Sequence, residues 1–169
     1  LHHRDIGLVG AGLFYDDEPA WTTTGEAIPG SHRRRFQQEF RLNWRQTWDE
    51  RRHWRTTFTL GAKLNDENGG GYFNYTRWLA SGRLEYQGEP WRVSASARMA
   101  YYDYANQTVS ASDTAKRQRT EVTVDVQVER RLYKRLTLVA SYEYERTLSN
   151  DALETYTVNT VKSTLRWEF

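Results

Sequence analysis

Cysteine is absent from the chain, which excludes disulfides and thiolate metal sites and is neutral between compartments. Long apolar runs are absent as well. No stretch approaches the roughly 18–20 apolar residues of a membrane helix, so a helical membrane protein is excluded. Neither sign of charge dominates: 24 Lys and Arg stand against 22 Asp and Glu. A nucleic-acid partner would need a segregated basic patch, and none is expected. Hydrophobic residues make up only 38% of the chain, mean hydropathy is −0.87, and helical periodicity is nearly missing. Aromatic side chains, by contrast, reach 14%, with seven Trp and eleven Tyr. The 169 residues suffice for one domain with a reasonable core. The chain begins at Leu1, shows no secretory signal and has Met99 as its single methionine. It is expected to be a processed form or part of something longer, with residues 1–5 an extension or a truncated start.

Alternation with period two runs through most of the sequence and predicts strands. Phe36, Phe40, Leu42, Trp44 and Trp48 share one face of a segment whose other face carries Gln37, Glu39, Arg41, Asn43 and Arg45. The next segment sets Trp54, Phe58, Leu60, Ala62 and Leu64 against His53, Arg55, Thr57, Thr59 and Lys63. Trp78 to Tyr86, Trp91 to Tyr101, Glu121 to Glu129, Arg135 to Glu145 and a final segment from about Thr157 continue the pattern. An earlier run, Ile6 to Tyr15, is predicted as a weaker strand because Gly7, Gly10 and Gly12 interrupt it. Tight connections are expected at Asp49 to Arg52, Gln87 to Pro90 and Arg130 to Lys134. They alternate with long ones at Tyr15 to Arg35, Asn65 to Thr76, Asp103 to Arg117 and Thr147 to Tyr156.

The last segment places Val161, Leu165, Trp167 and Phe169 on one face, with the small Ser163 among them, and ends on an aromatic residue. This ending resembles the C-terminal strand of bacterial outer-membrane β-barrels, where a final aromatic and alternate apolar residues form the assembly signal. The resemblance is architectural and spans about Ile6 to Phe169. It implies an all-β, antiparallel up-and-down transmembrane barrel of about eight strands, or the C-terminal part of a larger one. Its surroundings would be outer-membrane lipid and lipopolysaccharide, its assembly would use the barrel assembly machinery, and a periplasmic or outer-membrane protein is a further candidate partner. Short turns would then lie in the periplasm and long loops outside. Trp48, Trp54, Tyr86, Trp91 and Trp167 would form one interfacial girdle; Phe14, Phe36, Tyr101 and Tyr144 would form the other. A soluble barrel or sandwich is the competing reading, and it would have to pack all these rings into one small interior.

If the apolar face meets lipid, the polar face lines the lumen, and its charges are sorted by strand. Arg41, Arg45, Arg55, Arg83 and Arg98 come from the earlier strands; Glu121, Asp125, Glu129, Glu143 and Glu145 come from the later ones, and Arg166 lies on the last. In an eight-stranded barrel these walls would pair into a plug, because the interior holds side chains only. In a wider barrel they would line water. The implied role is a channel, porin-like pore or export conduit, with a closed structural or surface-binding barrel as the alternative.

Catalytic and metal-binding candidates are few, and neither an enzyme nor a cofactor is expected. His2 and His3 are adjacent near the terminus, His32 follows Ser31 in a predicted loop, and His53 starts a strand. Glu143 and Glu145 share a strand face, where nearby Arg residues explain them better than acid–base work does. Asp16-Asp17-Glu18 and Asn65-Asp66-Glu67-Asn68 lack the spacing of a calcium loop. Gly69-Gly70-Gly71 lacks the helix and Lys of a phosphate cradle. His32-Arg33-Arg34-Arg35 is either a solvated run or a contact for lipopolysaccharide phosphates.

Overall fold

The computed structural model describes residues 3–21, 27–67, 71, 73–109 and 113–168, with side chains described from Arg35 onward. Phe169, His2 and the loop positions Gly69, Gly70 and Ser110 lie outside the described residues, as do the side chains of His3, Asp16 to Glu18 and His32 to Arg34. One antiparallel sheet contains every strand, in the order of the sequence: β1 (His3–Trp21), β2 (Ala27–Thr47), β3 (Trp54–Glu67), β4 (Tyr75–Gly88), β5 (Trp91–Thr108), β6 (Lys116–Tyr133), β7 (Leu136–Ser149) and β8 (Tyr156–Trp167). The single helical turn among the described residues is a 3-10 turn at Ala152–Glu154. Each strand pairs with its neighbour in sequence, so every ladder is closed locally by a hairpin.

Neither pairing nor contact joins β1 to β8, so the sheet is not closed into a barrel. That pairing would be the most distant in sequence, and no hairpin would set its register. Even so, the sheet curls. One cavity of about 280 Å³ is lined both by Arg35 and Gln37 of β2 and by Glu154 of the β7–β8 connection. At the opposite end another, of about 580 Å³, runs from Arg51 and His53 of the β2–β3 turn to Arg166 of β8.

The strands are longer than the sequence reading proposed, and the long loops correspondingly shorter. Most of the expected loop from Tyr15 to Arg35 is strand, with only residues 22–26 between β1 and β2. Likewise β5 continues to Thr108 and β6 begins at Lys116, inside the expected loop from Asp103 to Arg117. The physical reason is that backbone pairing does not require alternation of apolar side chains, and these extensions lack a sustained apolar alternation in sequence. Between β4 and β5 stand only Glu89 and Pro90, joined by a cis peptide bond; between β6 and β7, only Lys134 and Arg135.

The β2–β3 turn shows how polar residues set a hairpin. Asp49 accepts the Trp54 amide through Oδ1 at 2.9 Å and the Arg52 amide through its carbonyl at 3.0 Å. Arg52 takes φ 58°, the left-handed region that reverses the chain. The Trp54 amide is the largest cause holding the Asp49 carboxyl below the usual carboxylate range, and His53 adds to it.

Burial on the two faces is the reverse of that in a soluble sheet. Among the described residues, 23 large apolar or aromatic side chains are exposed, while the buried hydrophobic residues are Ala100 and Tyr104 alone. The register assembles most of the exposed set into one surface. Phe40, Ala62, Trp78 and Tyr101 form one row across β2 to β5, and Leu42, Leu60, Ala80, Met99 and Val122 form the next across β2 to β6. Trp44 stacks on Phe58 at 5.3 Å, and Phe58 in turn lies over Gly82, where an added Cβ would come within 3.3 Å of its ring. Leaving such a surface in water forgoes about 2 kcal/mol per large side chain, on the order of tens of kcal/mol in sum.

Candidate functional site on the polar face

Alternation puts the charged and hydroxylated residues of β2 to β8 on the opposite face, and the two ends of that face are built differently. At the end bearing the β3–β4, β5–β6 and β7–β8 connections, the polar face is packed. Tyr75, Tyr102 and Tyr104 stand together, with ring centroids 5.6 to 6.3 Å apart. The Arg119 guanidinium lies 4.5 Å from the Tyr102 ring centroid and pairs with Glu121 at 2.9 Å, while the Tyr102 hydroxyl donates to Glu121 at 3.2 Å. Arg117 lies 5.8 Å from the Tyr104 ring centroid, donates to Gln107 at 3.0 Å and pairs with Glu154 of the 3-10 turn. Asn65, Glu67, Gln107 and Thr147 are buried there. Buried amides and carboxylates must find partners: Asn65 takes Gln37 at 2.8 Å and the Phe73 carbonyl at 2.7 Å, and Glu67 accepts the Phe73 amide at 2.9 Å.

The end bearing the tight turns is open. Its cavity is lined by Arg51, His53, Arg92, Glu129, Arg131 and Arg166, among others. Arg131 pairs with Glu89 at 2.7 Å, a carboxylate 85% exposed. His53 Nδ1 faces Asp49 at 3.0 Å, so this histidine has a turn carboxylate as its partner. Trp54 and Tyr86 meet at 4.9 Å beside it, the Trp48 indole donates to Thr56 at 2.7 Å, and the Arg130 guanidinium lies 5.0 Å from the Trp91 ring centroid.

Between the two ends lie the charges predicted as lumen lining. Arg45, Thr57, Arg83, Ser96, Asp125 and Glu143 occupy one cross-strand row. Arg98 lies two residues further along the face and shares its row with Glu145; at the tight-turn end, Arg55 shares a row with Glu85, and Arg92 one with Glu129. Arg41 pairs with Glu39 on its own strand at 2.7 Å, and Arg77 of β4 reaches the same carboxylate at 3.0 Å. Among the described residues the expected wall-to-wall pairing is nearly absent. Arg166 to Glu129, at 3.9 Å, is the closest approach to it, and those two residues are only two strands apart.

The apolar-face aromatics divide. Trp48, Trp54, Tyr86, Trp91 and Trp167 gather at the tight-turn end, as their positions beside the connections dictate. Tyr144 instead shares a row with Val124 and Ala97 in the middle of the sheet, whereas Tyr101 shares one with Thr120 and Leu148; the two do not stand at one level of the register. Val161, Leu165 and Trp167 of the predicted assembly signal pair with Tyr142, Leu138 and Leu136, and all three are exposed. The tyrosine cluster with Arg117 and Arg119 was missed in the sequence because Asp103 to Arg117 was read as loop. The signal was present: Tyr102 and Tyr104, and Arg117 and Arg119, each stand at the two-residue spacing of one strand face. Gln46, in phase with Trp44 and Trp48 and 2% exposed, was also missed, and a lone polar residue in an apolar phase gave no ground for expecting it buried.

No protein-family model matches the chain, and no curated protein and no solved structure is significantly similar to it. Its chemistry is therefore read from the two faces alone.

Proposed function

We propose that this chain is an outer-membrane β-barrel, or the C-terminal eight strands of one, whose polar face lines a water-filled, porin-like or export conduit. The observation carrying the reading is the inverted sheet: large apolar side chains exposed on one face, and buried and ionic groups collected on the other. A bilayer supplies the apolar solvent that the first face lacks, and the charges of the second require water or one another. In a membrane the free edges of β1 and β8 must also be paired, since each unsatisfied backbone group there costs several kcal/mol. Pairing β8 to β1 makes an eight-stranded barrel, whose interior holds little beyond side chains; intervening strands make the wider barrel that a water-filled conduit needs.

The unpaired charges of the polar face favour a hydrated interior over a plug. Among the described residues Arg45, Arg55, Arg98 and Glu143 have no ion-pair partner, which a dry interior would not tolerate. A second reading, a closed structural or surface-binding barrel, draws its support from the packed tyrosine–arginine layer and the Arg117–Glu154 pair across one mouth. Outer-membrane lipid and lipopolysaccharide are the proposed surroundings, and the segment ending Val161, Leu165, Trp167 and Phe169 is the proposed signal to the assembly machinery. Planar-bilayer recording separates the two readings. A conduit gives ion conductance that changes when Arg45, Arg83 or Arg98 is neutralised; a closed barrel inserts and conducts nothing.

A further inference from the structure

The middle of the polar face is sorted by charge at a single level. In the row Arg45, Thr57, Arg83, Ser96, Asp125 and Glu143, the cations come from β2 and β4, the anions from β6 and β7, and the intervening residues are hydroxyls. Arg98 and Glu145 repeat the polarity one row away. The charges are not consumed by one another. Arg83 pairs with Glu85 on its own strand at 3.0 Å, Asp125 accepts the Ser96 hydroxyl at 3.2 Å, and Glu145 accepts the Tyr156 hydroxyl at 2.6 Å. Exceptions stand in and beside the belt: Asp5 of β1 is in register with Arg45, Glu85 sits on the basic side, and Lys162 lies beyond the acidic one. The net charge of +2 over the chain leaves little bias toward either sign of ion.

We infer that this belt selects solutes bearing a separated positive and negative charge, of the class of short peptides and α-amino acids. The inference rests on the conduit reading. A zwitterion can turn its carboxylate toward the β2 and β4 guanidinium groups and its ammonium toward Asp125 and Glu143, gaining from both walls. A singly charged solute gains from one wall and is repelled by the other. Low-dielectric walls concentrate the field in the space between.

The test uses the complete protein that carries these strands, refolded into planar bilayers, with the potassium chloride current titrated by three peptides of one size. These are triglycine, N-acetyltriglycine, which is an anion, and triglycine amide, which is a cation. Triglycine is expected to reduce the current at several-fold lower concentration than either derivative. In the double variant D125N/E143Q the anion is expected to become the strongest blocker, and in R45Q/R83Q the cation. Opposite shifts cannot arise from a general loss of folding. Equal block by all three peptides, or a shift of both variants in the same direction, overturns the selectivity while leaving the conduit standing. Absence of any current from the unaltered complete protein overturns the conduit reading itself.

Discussion

The two faces of this sheet obey opposite rules. On one, Phe40, Leu60, Trp78 and Val161 are exposed, the last at 79%; on the other, Asn65, Glu67 and Gln107 are buried. The same strands supply both, separated by one residue of register. A soluble sheet turns its apolar face inward because burial of a large side chain is worth about 1.5–3 kcal/mol. Among the described residues nothing covers that face, and the sheet curls toward its polar side. The difference teaches that the solvent of the apolar face lies outside the chain, and in the proposed setting that solvent is lipid.

The largest expected break in the contrast comes from placing one charge on the apolar face. Val124→Arg, in the middle of β6, should cost about 2–4 kcal/mol in refolding equilibria measured in lipid vesicles, whereas Thr123→Arg on the polar face should cost little. Similar penalties for the two would contradict the assignment of faces. Next comes the polar face's own packed end. Arg117→Ala removes a guanidinium 17% exposed, together with its bonds to Gln107 and Glu154, and should cost about 1–3 kcal/mol. At the open end, Arg131→Ala removes a pair whose carboxylate is 85% exposed and should cost under about 1 kcal/mol. If the two arginine variants prove equal in denaturant titrations, the distinction between packed and open ends fails.

The smallest effect is at the β2–β3 turn. Asp49 titrates below its ordinary range because the Trp54 amide bonds the ionised form. A folded-state pKa lower than the unfolded one means that the contribution is present above the unfolded value and is lost as pH falls through the folded one. Stability of the chain should therefore decline slightly more steeply with acidification than that of Asp49→Asn, measured as the difference between their unfolding midpoints across the acid range. No difference would remove the turn carboxylate from the account.

The strand cores were legible because alternation is written directly in side chains: Val122, Val124, Val126 and Val128 against Glu121, Thr123, Asp125 and Gln127 admit no other phase. Strand ends were not, since β1, β2, β5 and β6 extend through segments without apolar alternation, where backbone pairing continues the strand. The sorting of cations and anions on the polar face could also be read from sequence. Whether the walls pair could not, because that depends on the curvature of the sheet. The tyrosine–arginine layer was hidden by the same error about strand ends, and the level of Tyr144 by register, which is set by hairpins rather than by any single residue.

Absence of cysteine makes the central claim directly measurable. Single cysteines placed in turn from position 122 to 127 in the refolded, lipid-embedded chain can carry a fluorophore and be challenged with a quencher fixed in the bilayer core. Positions 122, 124 and 126 should be quenched, while 123, 125 and 127 should be spared and reachable by a water-soluble thiol reagent. Uniform aqueous access, or quenching in the opposite phase, would contradict the account.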